Sequence, residues 1–290
     1  MSNSLSRRQL LGAGTLLAAC PAGLAQSKPA EEPAGRTKFA VNIEMWLREL
    51  PFLERIPAAR QLGFPAIEFW DWKSKDIAAV AKAAREQELA VTQFTAWGFR
   101  PGLNNPENHG DFVEAIRKAC DVADQLDCAM FTVVAGDDQP GMSTEEMHEH
   151  VIAGLALAAP IAEERGKIMI LEPMNGRVDH PGHCLYGSPA AIRICEAVDS
   201  PAVKINWDLY HMQITEGDLC GRMRDGFEHI AYLQLADHPG RHEPGTGEVH
   251  YNRVLKEAWD LGFRGYVGLE CSPRDDAASA AERVRAADVW

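Results

Sequence analysis

Four short apolar runs of this chain finish in, or close to, a side chain that offers an oxygen. Glu172 falls in "KIMILEP", Asp208 closes "AVKINWD", Gln234 lies in "IAYLQLAD" and Glu270 in "GYVGLEC". Three carboxylates and one amide make an all-oxygen set. Such a set suits Mg2+ or Mn2+ better than zinc and leaves positions over for water or substrate. Buried acids carry a large desolvation cost, and a shared cation would offset it and keep them ionised. His211 stands three residues beyond Asp208 in "VKINWDLYHMQ", where a loop could aim its ring into the same place. A single carboxylate at a strand end is ordinarily a helix cap or an ion-pair partner. Four at successive run ends are hard to explain that way. Glu68, in the earlier run "AIEFW", stands apart from them, and for it the two readings balance.

The elements that must hold these side chains follow from periodicity. Apolar runs at 38–43, 66–70, 89–95, 129–135, 167–173, 202–208, 230–237 and 265–271 alternate with amphipathic stretches such as "SKDIAAVAKAAREQE" and "DFVEAIRKACDVADQLD". Eight strand–helix units predict a (β/α)8 barrel, with strands buried on both faces and therefore read as continuous apolar runs. A doubly wound open sheet would put a Gly-rich phosphate turn after its first strand, and "VNIEMWL" has none. In a barrel the C-terminal strand ends carry the chemistry, and the candidate ligands fall there. No linker or shift in composition interrupts the chain, so residues 38–290 are expected to form one domain.

The N-terminus is of another kind. "SLSRRQLLGAGTLLAAC" places Arg7 and Arg8 before an uncharged apolar run, Leu10 to Ala19, too short to span a bilayer permanently. Residues 1–25 therefore read as a twin-arginine export signal, giving a periplasmic protein. Cleavage after Ala25 in "GLA" would release a soluble form, while "LAAC" offers lipidation at Cys20. Residues 26–37, Pro-rich and polar, read as a flexible leader. The chain carries a formal charge of −13, and losing the two arginines of the signal takes it to −15. With no basic stripe, that charge argues against nucleic acid as a partner. Seven cysteines form no CxxC and no zinc-like pairing, so no disulfide is assigned. Self-association into a homo-oligomer is left open.

Longer motifs carry a resemblance. "LEPMN" (171–175), "INWDLYHMQITEGDL" (205–219), "LQLADHPGRHEPGTGEVHY" (233–251) and "GYVGLECSP" (265–273) closely resemble the hydroxypyruvate isomerase family. That family belongs to the xylose isomerase-like TIM barrels, beside ketose 3-epimerases and the endonuclease IV barrels. The resemblance extends over about Lys38 to Pro273 and includes "FAVNIEMWL" and "ARQLGFPAIEFW". It implies that Glu172 and Glu270 are the paired catalytic glutamates and also touch the metal. Asp208 and Gln234 are then the remaining ligands, and His211 and Arg241 bind substrate oxygens. Glu243, in the loop after the seventh strand, could orient Arg241 or be a solvated loop acid. One segment departs from the family's "GDWAAGERG"-like pattern after strand 3, where this chain has "FTAWGFRPGLNNPENHGDF" (94–112).

The chemistry so implied is isomerisation of a small hydroxy-carbonyl substrate, hydroxypyruvate to 2-hydroxy-3-oxopropanoate, through an enediolate. One glutamate removes a proton and the facing one returns it. The alternative is a ketose 3-epimerase or another sugar isomerase on the same barrel. A metal-dependent endonuclease would want more histidines and a basic surface, and a non-catalytic sugar-binding protein would normally have two lobes.

Overall fold

The computed structural model describes residues 36–290. The twin-arginine segment, Cys20 and the leader up to Gly35 lie outside the described residues. The strands are β1 (Lys38–Asn42), β2 (Ala66–Asp71), β3 (Ala90–Trp97), β4 (Met130–Val134), β5 (Ile168–Glu172), β6 (Val203–Asp208), β7 (Ile230–Leu235) and β8 (Tyr266–Leu269). All pair in parallel in sequence order, and β8 returns to β1 through Phe39↔Val267, closing a (β/α)8 barrel. The helices are α1 (Phe52–Gln61), α2 (Ile77–Glu86), α3 (His109–Leu126), α4 (Thr144–Glu164), α5 (Ser188–Val198), α6 (Leu209–Thr215), α7 (Leu219–Gly226), α8 (Tyr251–Leu261) and α9 (Ala277–Ala286). Each strand lies within two residues, at either end, of the run that predicted it.

Side chains alternate across a strand, and here the alternation separates two environments. Ile67 and Phe69 of β2, Ile205 and Trp207 of β6, and Leu233 and Leu235 of β7 join the fully buried apolar layer. The residues between them are polar. Glu68, Asn206, Tyr232 and Gln234 are as deeply buried, and they hydrogen-bond to one another and to Asn42, Gln93 and Thr92. The strands are buried on both faces as expected, but the inner face is polar where the runs read as apolar: the barrel centre is a network tolerated because its members are hydrogen-bonded. Gly268 makes room for it, since a Cβ there would stand 2.4 Å from Glu68 Oε2.

Local capping sets several helix starts. Asp76 accepts from Ala79 N–H at the head of α2, and Ser143 with Glu146 forms a reciprocal capping box on α4. Asp208 accepts from Tyr210 N–H at 2.8 Å, so the carboxylate that ends β6 also starts α6. The six cysteines among the described residues are unpaired; burial pushes Cys128, Cys184 and Cys195 up to about 12. Among the described residues no helix is long and apolar enough to cross a membrane.

Candidate active site

Glu172 at the end of β5, Asp208 at the end of β6, His211 in α6 and Glu270 just after β8 converge. One ligand-capable atom from each lies within 4.8 Å of all the others. The group borders a cavity of about 390 Å³ whose walls include Trp70, Phe99, Met174 and His180. Trp70 lies two residues beyond Glu68, on the same strand face but one layer higher. Its Nε1–H donates to Glu270 Oε1 at 2.8 Å, and Arg241 Nη2–H donates to Oε2 at 2.7 Å. Both oxygens of Glu270 are therefore held in place, whereas the nearest cation-capable nitrogen to Glu172 is His211 Nε2, at 3.8 Å.

Arg241 reaches this place from a strained backbone. Its φ of 54° is in the left-handed region, unfavourable for a residue with a Cβ. The loop that imposes it is organised by buried Asp237. That carboxylate accepts from the N–H groups of His238, Gly245, Thr246, Gly247 and Val249 at 2.8–3.1 Å. The Arg241 guanidinium lies over the Tyr210 ring, 5.0 Å from its centroid, and 3.9 Å from both Asp208 and Asp179.

Burial sets the electrostatics. It raises the Glu172 carboxyl well above the ordinary range, Glu270 and Asp208 adding to the effect and Arg241 opposing it. Asp208 is raised by burial and Glu270, against Arg241 and the Tyr210 N–H. Burial and the charge of Arg241 hold His211 well below its usual value, hence neutral. Arg241 is itself opposed by burial, yet Glu270, Asp208 and Asp179 outweigh that and keep it charged. One cation thus faces three carboxylates.

That imbalance is what a divalent ion would correct. Asp208 Oδ2 is buried with no hydrogen-bond partner, although Oδ1 of the same carboxylate is used as the helix cap. His211 Nε2 is orphaned likewise, 3.6 Å from it. An unpartnered buried carboxylate oxygen among other carboxylates is costly, and the set fits a hard cation. Gln234 lines the cavity beside them, its Nε2 donating to Glu68 and its Oε1 accepting from Asn206.

The structure thus gathers Glu172, Asp208, His211, Arg241 and Glu270 at one point, with Gln234 on the cavity wall beneath. Glu68 is the deeper neighbour; burial, then the charge of Glu270, pushes its carboxyl up to about 7. Glu243 corrects both expectations for it. Fully buried, it pairs with Arg283 of α9 and accepts from Arg274 N–H, and it makes no hydrogen bond or ion pair with Arg241. Sequence reasoning missed Trp70, Asn175 and Phe99. Period-two alternation from Glu68 could have found Trp70; Asn175 and Phe99 sit in loops that carry no such signal.

Fold and site together define a (β/α)8 enzyme with an acidic centre at the C-terminal strand ends. A profile described as a xylose isomerase-like TIM barrel matches residues 56–287. Hydroxypyruvate isomerase of Escherichia coli is 30% identical over 82% of this chain and 94% of its own length. The 2-oxo-tetronate isomerase of Cupriavidus necator is 32% identical over 82% and 93%. A crystal structure named AP endonuclease, family 2, from Brucella melitensis superposes with a TM-score of 0.80, at 28% identity, covering 84% of this chain and 96% of that one. The chain belongs to the xylose isomerase-like TIM-barrel family and is an isomerase.

Proposed function

We propose that the protein isomerises a small α-hydroxy-carbonyl compound, with hydroxypyruvate as the reference substrate, by proton transfer between Glu172 and Glu270. The observation that carries this is the convergence of two buried glutamates from β5 and β8 on one cavity, at different distances from a donor. Glu270 is fixed through both oxygens by Trp70 and Arg241, which orients it as the acceptor of the α-proton. Glu172, whose carboxylate converges on the same cavity from the end of β5, then returns a proton to the adjacent carbon. Arg241 and His211 stand where the substrate's oxygens gather. A divalent cation held by Glu172, Asp208, Gln234 and Glu270, Mg2+ or Mn2+ by the chemistry of the donors, would supply positive charge for the enediolate.

The relatives' names support this reading, one acting on hydroxypyruvate and another on a 2-oxo-tetronate. A 3-epimerase acting on ketoses is the second reading. The cavity favours it, because about 390 Å³ exceeds what a three-carbon acid fills. An endonuclease, the activity named for the Brucella structure, conflicts with a net charge of −13. The test is turnover of hydroxypyruvate and of a ketose panel by Mn2+-loaded protein, with Glu172→Gln and Glu270→Gln alongside. Each variant should lose on the order of 10²–10⁴-fold in kcat. Near-normal turnover by both would remove the glutamates from proton transfer. The twin-arginine segment supports a further proposal, that the enzyme works in the periplasm, either cleaved after Ala25 or anchored at Cys20.

A further inference from the structure

Asn175, in the loop after β5, is fully buried and has every polar position committed. Its Oδ1 accepts from the backbone N–H of Val178 at 2.9 Å and of Asp179 at 3.1 Å. Backbone N–H groups can only donate, so the amide cannot be turned round. Its Nδ2 must then carry both remaining contacts, 2.7 Å to Asp179 Oδ2 and 2.6 Å to His211 Nδ1. A ring carbon could not approach a nitrogen as closely as 2.6 Å, so the imidazole is not reversed either. Asn175 donates, and His211 Nδ1 must accept. A neutral imidazole has one donor and one acceptor nitrogen, and the proton is therefore on Nε2.

We infer that Asn175 is a positioning residue that locks His211 in its Nε2–H form, making His211 a hydrogen-bond donor at the acidic centre and barring it from ligating the cation. The lone pair a metal would need is spent on Asn175. Nε2 instead presents a proton between Asp208 Oδ2 at 3.6 Å and Glu172 Oε1 at 3.8 Å, both too far to accept it. That proton is free for an oxygen brought to the cluster. Of the four convergent side chains, three oxygen donors remain, and Gln234 completes an oxygen set. The lock thus biases the centre towards Mg2+ or Mn2+ and against zinc, whose preferred nitrogen donor is withheld. The catalytic part rests on the isomerase reading given above; the tautomer does not.

The long-range ¹H–¹⁵N spectrum of the imidazoles in the full chain reads the tautomer directly, with His211→Gln identifying the His211 signals. The wild type should show Nε2 protonated and Nδ1 bare. The double change Asn175→Asp with Asp179→Asn exchanges donor and acceptor at the 175–179 contact and asks His211 for an Nδ1–H. It should reverse the pattern, raise affinity for Zn2+ relative to Mg2+ at least tenfold, and lower kcat on the order of 10²-fold with little change in KM. If the double variant does not fold, Asn175→Ala should leave the two tautomers mixed. A protonated Nδ1 in the wild type, or an unchanged spectrum in whichever variant folds, overturns the inference. Absence of turnover on every hydroxy-carbonyl tried, with the tautomers as stated, instead sinks the proposed reaction and leaves the lock intact.

Discussion

Glu68 is a carboxyl group in the middle of a barrel, and two opposing forces act on its proton. Desolvation and the charge of Glu270 favour the neutral acid; Tyr232, Gln234 and Gln93 donate to its oxygens and favour the anion. Asn42 also donates, so each oxygen accepts two hydrogen bonds of 2.7–3.1 Å. Burial prevails, and the group titrates at about 7 instead of 4.5. The folded carboxyl thus keeps its proton over a range in which the unfolded one has lost it. Its contribution to stability is fully present below about 4.5 and is lost as the pH rises through about 7. At about 1.36 kcal/mol per pKa unit, going from about pH 5 to pH 8.5 removes ~2–3 kcal/mol. Glu68→Gln cannot undergo that loss, though its amide nitrogen meets buried donors, at ~1–3 kcal/mol near pH 5. The variant should therefore be less stable than wild type at pH 5 and close to it, or more stable, at pH 8.5. Urea unfolding of both proteins with chelator present measures the difference. A gap that stays constant within ~0.5 kcal/mol would mean that four donors offset the desolvation.

Asp237→Ala removes the acceptor of five backbone N–H groups in the loop that carries Arg241. Faster hydrogen exchange at Gly245, Thr246, Gly247 and Val249 is expected, with a stability loss of ~2 kcal/mol or more; unchanged exchange would mean the loop is held by other contacts. Changing Arg7 and Arg8 together to Lys should leave the protein in the cytoplasm with its leader attached. Equal amounts in the periplasmic fraction would refute twin-arginine export.

The strands and the three acids of the centre were legible in the sequence for one reason. A barrel strand is short and buried, so a carboxylate at its C-terminal end stands out against an apolar run. What lies deeper was not legible. Glu68 and Trp70 are two residues apart on one face, yet whether such a face meets helices or the barrel axis depends on closure between β1 and β8, residues more than two hundred apart. The polar centre was hidden for the same reason: Thr, Asn, Gln and Tyr scattered among Val, Ile and Phe do not break an apolar run. Glu243 was misread because its partner, Arg283, comes from α9, forty residues on. The Asn175–His211 contact spans thirty-six positions and leaves no local pattern.

The two layers of the barrel centre have different charge logic, and Gln234 is the joint between them. Below it, Glu68 is surrounded by donors and needs no cation. Above it, Glu172, Asp208 and Glu270 share one guanidinium, and Asp208 Oδ2 has no partner. Gln234 gives its N–H to the lower carboxylate, so its oxygen is left for Asn206 and for whatever approaches from above. An isolated acidic residue at that position would add a fourth negative charge to the centre, and a histidine would replace the oxygen with nitrogen. Glutamine instead keeps the set oxygen-only while satisfying Glu68. With Asn175 withholding the nitrogen of His211, two neutral amides, one from β7 and one from the loop after β5, fix which atoms face the centre. On the proposed reading the acids supply the charge there, and the amides decide how hard a cation, and which substrate oxygens, that charge would accept.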